Sequence, residues 1–337
     1  MKRALFIGGT GTISTAVTKR IATLPDWELY LINRGNRSRV IPENVKLIIA
    51  DINDEEDVAL KLEGLEFDCV CDFIGFVPGQ VERDYRLFKG KTKQYIYISS
   101  ASAYEKPAKN YIITEETPLS NPFWQYSRDK ISCETFLMEK YRSEGFPVTI
   151  IRPTYTYDER SVPLSVNGNN GSWQVLERML QGKRVIIQGD GSTLWTMTHN
   201  SDFAKGFTGL MGNEKAIGEA VQITSDETLT WTQIYQCVAD ALGVELHPYY
   251  ISSWYLADIA PQFDFRGNLL GDKTFCVVFD NSKLKRLVPD FKPEVPFAEG
   301  IRRTVEYINE HPQLKRPDPQ FDAWCDNIIE KLESLKV

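Results

Sequence analysis

Two groups of side chains, in a fixed order along this chain, have the types and spacing needed for proton-transfer chemistry. The hydroxyl pair Ser99-Ser100 ends an apolar stretch, and Tyr126 and Lys130 follow it, four residues apart. Residues at i and i+4 share one helix face, so we expect the ammonium to lower the pKa of the phenol from its usual value of about 10. Ser100 can hydrogen-bond a substrate oxygen while Tyr126 exchanges a proton with it. These three residues are the predicted catalytic set.

A second Tyr-x-x-x-Lys match, Tyr85 and Lys89, has the same spacing. It precedes the strand that carries Ser100, so we expect Tyr85 to be a packing residue on the helix that leads into that strand. Tyr126 follows the strand and opens a new helix over the carboxyl edge of the sheet, where α/β proteins bind ligands. Position therefore favours Tyr126. The alternative is that Ser100 only ends a strand and that Tyr126 and Lys130 only decorate a helix.

A glycine turn, Gly8-x-x-Gly11-x-x-Ser14, follows the first apolar stretch and precedes an amphipathic segment. Small residues let the backbone approach a pyrophosphate, which is held by the N–H groups and the positive end of the next helix. Ser14 replaces the third glycine, which predicts slight crowding between helix and sheet. The pattern favours a dinucleotide site, and the alternative is an ordinary strand-to-helix turn.

The residues after the second apolar stretch bear on the choice of dinucleotide. A carboxylate there binds the ribose diol of NAD, whereas a cation accepts the 2′-phosphate of NADP. This chain has Asn33, Arg34 and Arg37 and no acid, which favours NADP over NAD unless the loop is simply solvated. Asp51 and Ile52 are placed to contact the adenine ring of the dinucleotide, although Asp51 can equally be a helix N-cap. The predicted cofactor contacts are Gly8, Thr10, Gly11, Thr12, Ile13, Asn33, Arg34, Arg37, Asp51, Ile52, Ile74, Gly75, Ser99, Tyr126, Lys130 and Pro153.

Short apolar stretches that alternate with helix-like segments must position these residues. Their near-continuous apolar character predicts strands that are covered on both faces, and hence a doubly wound parallel α/β (Rossmann) sheet with a smaller mixed α+β lobe. We expect residues 1–162 and about 195–217 in the nucleotide domain, and 163–194 and about 218–337 in the substrate lobe. The predicted strands are 4–7, 28–32, 46–49, 69–74, 94–98 and 148–151.

Composition narrows the classes of function. The chain has 337 residues and a net charge of -7, which opposes attraction to nucleic acid or anionic lipid. Its six cysteines have neither metal-site nor disulfide spacing, so no metal is expected. The apolar run at residues 4–7 is too short for a signal peptide or a membrane span. We therefore expect a cytoplasmic protein without membrane segments.

Four motifs resemble those of the extended short-chain dehydrogenase/reductases, the NAD-dependent epimerase/dehydratase group. They are GGTGTI at residues 8–13, SSASAY at 99–104, YSRDK at 126–130 and IRPT at 151–154. GDG at 189–191 with THNSD at 198–202 is similar to the family's return segment, and GD at 271–272 with DNSK at 280–283 to its C-terminal motif. The resemblance implies that Ser100, Tyr126 and Lys130 form a catalytic triad. It also implies that His199 belongs to a structural turn.

The chain departs from the family pattern where nucleotide-sugar members carry two arginines that hold the substrate diphosphate. Trp195 stands in one place and Leu269 or Leu270 in the other, so a nucleotide sugar is disfavoured. Cations elsewhere in the chain can take the place of these two arginines. Several aromatic residues either line a substrate pocket or belong to the core. The cations are Arg160, Arg178 and Arg266, and the aromatic residues are Trp124, Tyr155, Tyr157, Trp173 and Trp195.

Together these features predict an NAD(P)-dependent oxidoreductase or epimerase that transfers hydride at a secondary alcohol or ketone carbon of a small molecule. Tyr126 is its expected general acid or base. The alternative is a catalytically silent NADP-binding protein that binds RNA, similar to the chloroplast stem-loop RNA-binding proteins. A redox-sensing regulator is a further possibility without specific support. The family resemblance also implies a homodimer.

Overall fold

The computed structural model describes residues 1–35 and 41–335, and a seven-stranded parallel sheet lies at its centre. The strands of the described residues, in this sheet and outside it, are β1 (Lys2–Ile7), β2 (Trp27–Asn33), β3 (Lys46–Ile49), β4 (Cys69–Asp72), β5 (Tyr95–Ile98), β6 (Ile112–Ile113), β7 (Val148–Pro153), β8 (Tyr155–Tyr157), β9 (Val185–Gln188), β10 (Leu194–Trp195), β11 (Met197–His199), β12 (Ala220–Ile223), β13 (Leu229–Thr230), β14 (Pro248–Ile251) and β15 (Val278–Phe279). Its helices are α1 (Thr12–Ile21), α2 (Glu55–Lys61), α3 (Pro78–Phe88), α4 (Gln125–Glu144), α5 (Trp173–Leu180), α6 (Asn200–Leu210), α7 (Trp231–Leu242), α8 (Ser253–Ile259), α9 (Ser282–Leu287), α10 (Phe297–Glu310) and α11 (Pro319–Ser334).

The central sheet has the strand order β12-β7-β5-β4-β1-β2-β3. The order reverses between β1 and β4, and in doubly wound sheets a crevice opens at the carboxyl ends of the strands at such a point. The apolar residues of β1 show why the sheet needs cover on both faces. Ala4 and Phe6 pack into one apolar layer, whereas Leu5 and Ile7 pack into the other. The predicted doubly wound fold is confirmed.

The seventh strand, β12, is the one that the sequence analysis did not assign to this sheet. It pairs with β7 in parallel, from Ala220 opposite Ile150 to Ile223 opposite Pro153. It therefore lies beyond the boundary near residue 217 that we expected between the nucleotide domain and the substrate lobe. The division of the chain into these two domains otherwise stays a prediction.

A second apolar core lies under the remaining helices and small sheets. β9 pairs with β14, β6 with β15 and β8 with β11 in parallel, while β10 and β13 are antiparallel. Helices α5, α7, α10 and α11 contribute their apolar faces to this core, and Trp231 is one of its fully buried residues. A π-helix at Arg266–Lys273, which the sequence analysis did not predict, also packs here. No helix within residues 1–35 and 41–335 has the length and apolar character of a membrane span.

Candidate active site

A cavity of about 790 Å³ opens at the carboxyl ends of the central strands. It extends from the turn after β1 and the end of β2 to the start of α4, so it joins the predicted cofactor contacts to the predicted catalytic residues. Fourteen of the sixteen predicted cofactor contacts line it, as does Ser100. Gly75 is not among the lining residues, and Arg37 falls outside the described residues. The fourteen are Gly8, Thr10, Gly11, Thr12, Ile13, Asn33, Arg34, Asp51, Ile52, Ile74, Ser99, Tyr126, Lys130 and Pro153.

The glycine turn after β1 has a backbone that a side chain would obstruct. Gly8 has φ +85°, and a Cβ built on it would lie 2.4 Å from Cγ2 of Ile74. Helix α1 begins two residues after Thr10, and Thr12 and Ile13 present its first turn to the cavity. The first N–H groups of a helix have no partner within it, and its N-terminus carries partial positive charge. This cradle therefore fits the pyrophosphate of a dinucleotide.

Ser14, which stands where the family pattern has its third glycine, ties the turn together. Its hydroxyl donates to the Gly8 carbonyl at 2.9 Å and accepts from the Gly11 N–H at 2.7 Å. The side chain is buried and lies within these two hydrogen bonds. The hydroxyl thus acts as a brace across the turn, while the expected slight crowding between helix and sheet stays a prediction.

The end of β2 and the loop after β3 form the other end of the cavity. Asn33 Oδ1 accepts from the Gly35 N–H at 2.8 Å, which shapes the turn beside Arg34. Asp51 Oδ1 accepts from the backbone and side-chain nitrogens of Asn53, at 3.0 and 2.9 Å. The N-cap of α2 is Asp54 rather than Asp51, so the capping alternative for Asp51 is wrong.

Lys130 is buried in the cavity wall and held by backbone oxygens. Its ammonium donates to the carbonyls of Gly75 and Ile98 at 2.6 and 2.7 Å. The centroid of the Tyr126 ring lies 5.8 Å from this ammonium. Burial lowers the pKa of Lys130 to about 8.

The phenol of Tyr126 does not have the lowered pKa that the sequence analysis expected. Burial raises its pKa to about 12; a hydrogen bond from Ser100 acts in the opposite direction, and the negative charge of Asp272 raises the pKa further. The Lys130 ammonium is engaged by the Gly75 and Ile98 carbonyls, and the balance of burial, Ser100 and Asp272 leaves the pKa of Tyr126 above its ordinary value.

Ser100 belongs to a short chain of hydroxyl groups. Its Oγ accepts from the Ser102 N–H at 3.1 Å and lies 2.9 Å from the Ser102 hydroxyl. The Ser127 hydroxyl donates to Ser102 Oγ at 2.8 Å. If Ser102 in turn donates to Ser100, then the proton of Ser100 is available to a group in the cavity. Ser99 Oγ, also at the cavity, is buried and has no hydrogen-bond partner in the described part of the chain.

The competing Tyr85 and Lys89 lie away from this cavity. Both contact the carboxylate of Glu144 at the end of α4. The Tyr85 ring packs edge-on against Phe136 and Phe146, at centroid distances of 5.8 and 5.2 Å. Tyr85 is thus a packing residue, as its place along the chain indicates.

The return segment and the substituted arginine positions are structural in this protein. His199 Nδ1 caps α6 by accepting from the Ser201 N–H at 3.3 Å, and Asn200 donates to the Thr12 carbonyl at 3.1 Å. Trp195 is buried and stacks on Trp231, with centroids 5.9 Å apart. Leu269 and Leu270 are fully buried as well.

Several residues of the cavity wall were not predicted as site residues. Tyr155 was only weighed between pocket and core, although it follows the IRPT motif directly. Of the others, Ser14 and Thr154 belong to quoted motifs without having been assigned a role, and the rest reach the cavity because the carboxyl ends of β2, β3, β4, β5 and β7 meet there. These other residues are Ser14, Ile32, Gly35, Ala50, Asn53, Phe73, Phe76, Gln80, Ile98, Thr154 and Thr156.

Comparison with known proteins finds relatives that are named for a reductase and for a stem-loop binding protein. The chain is 23% identical over 291 residues to 2'-dehydrokanamycin reductase of Streptomyces kanamyceticus, which covers 86% of this chain and 80% of that protein. It is 27% identical over 255 residues to chloroplast stem-loop binding protein of 41 kDa b of Arabidopsis thaliana, covering 72% of this chain and 64% of that protein.

A solved structure and a family model agree with this fold. The UDP-glucose 4-epimerase of Bifidobacterium longum, in complex with NAD+ and UDP, superposes with a TM-score of 0.73 at 17% identity and covers 92% of this chain and 99% of that one. The model of the NAD dependent epimerase/dehydratase family matches residues 4–224. This protein therefore belongs to the NAD-dependent epimerase/dehydratase family.

Proposed function

We propose that this protein is an NADP(H)-dependent oxidoreductase or epimerase that acts on a secondary alcohol or ketone of a small, sugar-like molecule. One observation carries the proposal: a single cavity joins the glycine cradle at Gly8 to the hydroxyl groups of Ser100 and Tyr126. A dinucleotide bound in the cradle would supply hydride exchange at the substrate carbon. The chain itself must orient the substrate oxygen and move a proton at it.

Tyr126 is the proposed proton-transfer group, and Ser100 is the proposed hydrogen-bond partner of the same oxygen. A phenol with a pKa of about 12 holds its proton at neutral pH. In the reductive direction it can therefore protonate the alkoxide that forms at the substrate carbon, and in the oxidative direction the same oxygen would take that proton back. Lys130 is proposed to position this end of the site and to reach the nicotinamide ribose.

The proposed preference for NADP rests on the end of β2. Asn33 stands where a carboxylate would repel a 2′-phosphate, and Arg34 lies at the cavity with a guanidinium that can form a charge-assisted pair with it. Arg37, the second arginine of the argument, lies outside the described residues. The Bifidobacterium longum relative carries NAD+, so this preference distinguishes the present chain from it.

A substrate without a nucleotide diphosphate is favoured by what replaces the family's arginines. Trp195, Leu269 and Leu270 are buried and carry no charge. Arg178 is engaged by Asp322 at 2.6 Å, and Arg160 is paired with Asp158. The Streptomyces kanamyceticus relative is named for a dehydrokanamycin, which is a precedent for an oxidised sugar derivative as substrate.

The matched pair of tyrosines provides the test. Tyr126→Phe and Tyr85→Phe each remove one phenol hydroxyl from a Tyr-x-x-x-Lys segment, but only Tyr126 lines the cavity. With NADPH and a panel of keto-sugars, we expect Tyr126→Phe to lower kcat by about 10²- to 10⁴-fold with little change in the NADPH Kd. Tyr85→Phe should retain wild-type kcat. Full turnover by Tyr126→Phe would refute the proposed proton route.

The RNA-binding alternative is addressed by the same protein preparation. One relative is named a stem-loop binding protein, but this chain has a net charge of -7 and retains the proposed catalytic residues. We expect no retention of a structured RNA in filter binding at physiological salt, where phosphate contacts must still hold. Retention at that salt would favour the alternative.

Location and assembly complete the proposal. The six cysteines Cys69, Cys71, Cys133, Cys237, Cys276 and Cys325 are free thiols, which is compatible with a reducing compartment, and we propose that the protein is cytoplasmic. We also propose a homodimer formed through helices of the nucleotide domain. Light scattering coupled to size exclusion would measure its mass against the 38.5 kDa of one chain.

A further inference from the structure

The indole of Trp124 contacts the ring of the proposed proton-transfer residue. Trp124 directly precedes α4, and its ring centroid lies 4.9 Å from that of Tyr126, with the two ring planes tilted by 48°. Centroid separations of about 4.5–7 Å are typical of aromatic side chains in contact. This contact restricts the directions in which the phenol ring can tilt in the cavity that it lines.

The π-helix Arg266–Lys273 has a notch that receives this indole. A Cβ built on Gly267 would overlap Cδ1 and Nε1 of Trp124, and one built on Gly271 would lie 2.7 Å from Cβ of Trp124. Neither glycine has a positive φ, so their missing side chains serve the close approach of Trp124 and not the course of the backbone. Gly267 and Gly271 therefore form a notch that fits the indole.

Asp264 holds the indole in this notch. Its Oδ2 accepts from Nε1 of Trp124 at 3.2 Å. Asp264 has φ +51° and is the one non-glycine residue with a positive φ among residues 1–35 and 41–335. Glycine adopts such a conformation without a steric cost. The backbone alone therefore favours glycine at this position, and the hydrogen bond to Trp124 accounts for the carboxylate.

The buried Asn121 joins the π-helix to both proposed catalytic segments. Its Nδ2 donates to the Gly271 carbonyl at 2.6 Å and to the Ser102 carbonyl at 2.8 Å. Its Oδ1 accepts from the Trp124 N–H at 3.2 Å. Ser102 lies on the loop that carries Ser100, and buried polar groups whose hydrogen bonds are satisfied make a site rigid. The π-helix is thus tied to the start of α4 and to the loop of Ser100.

We propose that Trp124 is a positioning residue that holds the Tyr126 phenol ring for proton transfer, and that the π-helix is the platform on which Trp124 is seated. The inference rests on the proposed function, because it takes Tyr126 as the proton-transfer group. Trp124 is not among the residues that line the cavity, so it acts through the Tyr126 ring. Misplacement of a reacting group by about 1 Å can lower the rate about 10²-fold, and the loss should therefore appear in kcat and not in the NADPH Kd.

The first test displaces the indole by adding one methyl group outside the cavity. Gly267→Ala fills the notch, whereas the control Gly79→Ala adds a methyl group where no atom lies within 4 Å. We measure kcat with NADPH and keto-sugars per NADPH-binding site, which counts only folded protein. Gly267→Ala should lower this kcat about 10-fold or more, and Gly79→Ala should leave it unchanged. An unchanged kcat per site for Gly267→Ala would mean that the notch is only structural, and would overturn the proposal.

A double variant shows whether the notch acts through the indole. Trp124→Ala should lower kcat to a similar extent as Gly267→Ala. The combination of both changes should lower it no further, because both act through the same contact. Additive losses of kcat would contradict the proposed path from the π-helix through Trp124 to Tyr126.

The second test observes the phenol ring without any substrate. In protein labelled with fluorotyrosine, the fluorine NMR resonance that Tyr126→Phe removes belongs to Tyr126. Asp264→Ala should shift or broaden this resonance, whereas Asp264→Asn keeps an acceptor oxygen and should recover it. Asp258→Ala is the control, since Asp258 is also an exposed carboxylate and contacts Arg266 at 3.5 Å. A wild-type resonance in Asp264→Ala and Trp124→Ala would overturn the proposal, whatever their kcat.

The variant Tyr126→Phe separates this failure from that of the proposed function. Full turnover by Tyr126→Phe contradicts the proposed function itself. If Tyr126→Phe loses turnover while Trp124→Ala keeps the wild-type kcat per site, only the positioning role of Trp124 is contradicted.

Discussion

Replacing Gly8 with alanine tests whether the turn after β1 is a cofactor cradle, because two separate costs can be assigned to that change. The first is conformational: Gly8 has φ +85°, a region that costs an L-residue roughly 1–2 kcal/mol. The second is steric: the new Cβ would lie 2.4 Å from Ile74 Cγ2, and overpacking of this kind costs about 1–3 kcal/mol. The expected loss of unfolding free energy is therefore about 2–5 kcal/mol.

Gly90→Ala is the matched control for this experiment. Gly90 has φ +75°, and a Cβ there meets no atom within 4 Å. It carries the conformational cost alone, so the expected loss is about 1–2 kcal/mol. Urea unfolding gives both values, and a fluorescence titration gives the NADPH affinity of each variant. We expect Gly8→Ala to raise the NADPH Kd by about 10-fold or more, and Gly90→Ala to leave it unchanged.

The double variant Gly8→Ala/Ile74→Ala isolates the steric cost. It removes the Cγ2 atom that the new methyl meets, so the two changes should be less destabilising together than the sum of their separate effects, by about 1 kcal/mol or more. If Gly8→Ala matched Gly90→Ala in both stability and NADPH affinity, the close approach at Gly8 would have no consequence. The cradle argument would then be wrong.

Two further predictions concern Arg34 and Lys130. Arg34→Ala should weaken NADPH binding by roughly 10- to 100-fold and leave NADH binding unchanged, because it removes about 1.5–3 kcal/mol of charge-assisted hydrogen bonding to the 2′-phosphate. Equal losses of affinity for both cofactors would contradict the NADP preference. For Lys130 the folded-state pKa of about 8 lies below its ordinary value of 10.5, so the unfolded chain holds the proton more tightly and stability rises with pH. Between about pH 7 and 9.5 the loss of this proton adds about 2 kcal/mol to the free energy of unfolding, which urea unfolding measures. Lys130→Met should lack this increment. An identical rise in stability in that variant would refute the assignment to Lys130.

Much of the fold was accessible from local patterns. The six predicted strands all occur in the central sheet. Five of them are buried apolar segments, whereas β3 at the sheet edge leaves Leu47 and Ile49 exposed. Such apolar patterns depend on near neighbours in the chain. The glycine turn and the place of Tyr126 after the strand of Ser100 were accessible for a related reason. In a doubly wound fold, the order of the elements along the chain determines which residues meet at the carboxyl edge.

Other features were decided only by contacts between distant segments. β12 joined the sheet because β7 left an edge that a far later segment could cover. Ser14 became a brace because its hydroxyl met two turn atoms. The pKa of Tyr126 rose because burial and the negative charge of Asp272 outweighed the hydrogen bond from Ser100.

The sequence by itself determined six strands of the sheet, the glycine turn and the order of the candidate catalytic groups, since these follow from hydrophobic periodicity and from residue types at short spacing. The tertiary structure alone decided the charge states and the surroundings of those groups. Lys130 shows the difference: the sequence places it four residues after Tyr126, but only the folded chain brings its ammonium to the Gly75 and Ile98 carbonyls, where burial lowers its pKa to about 8. Burial and electrostatics depend on which distant residues are brought together, and no local pattern records that.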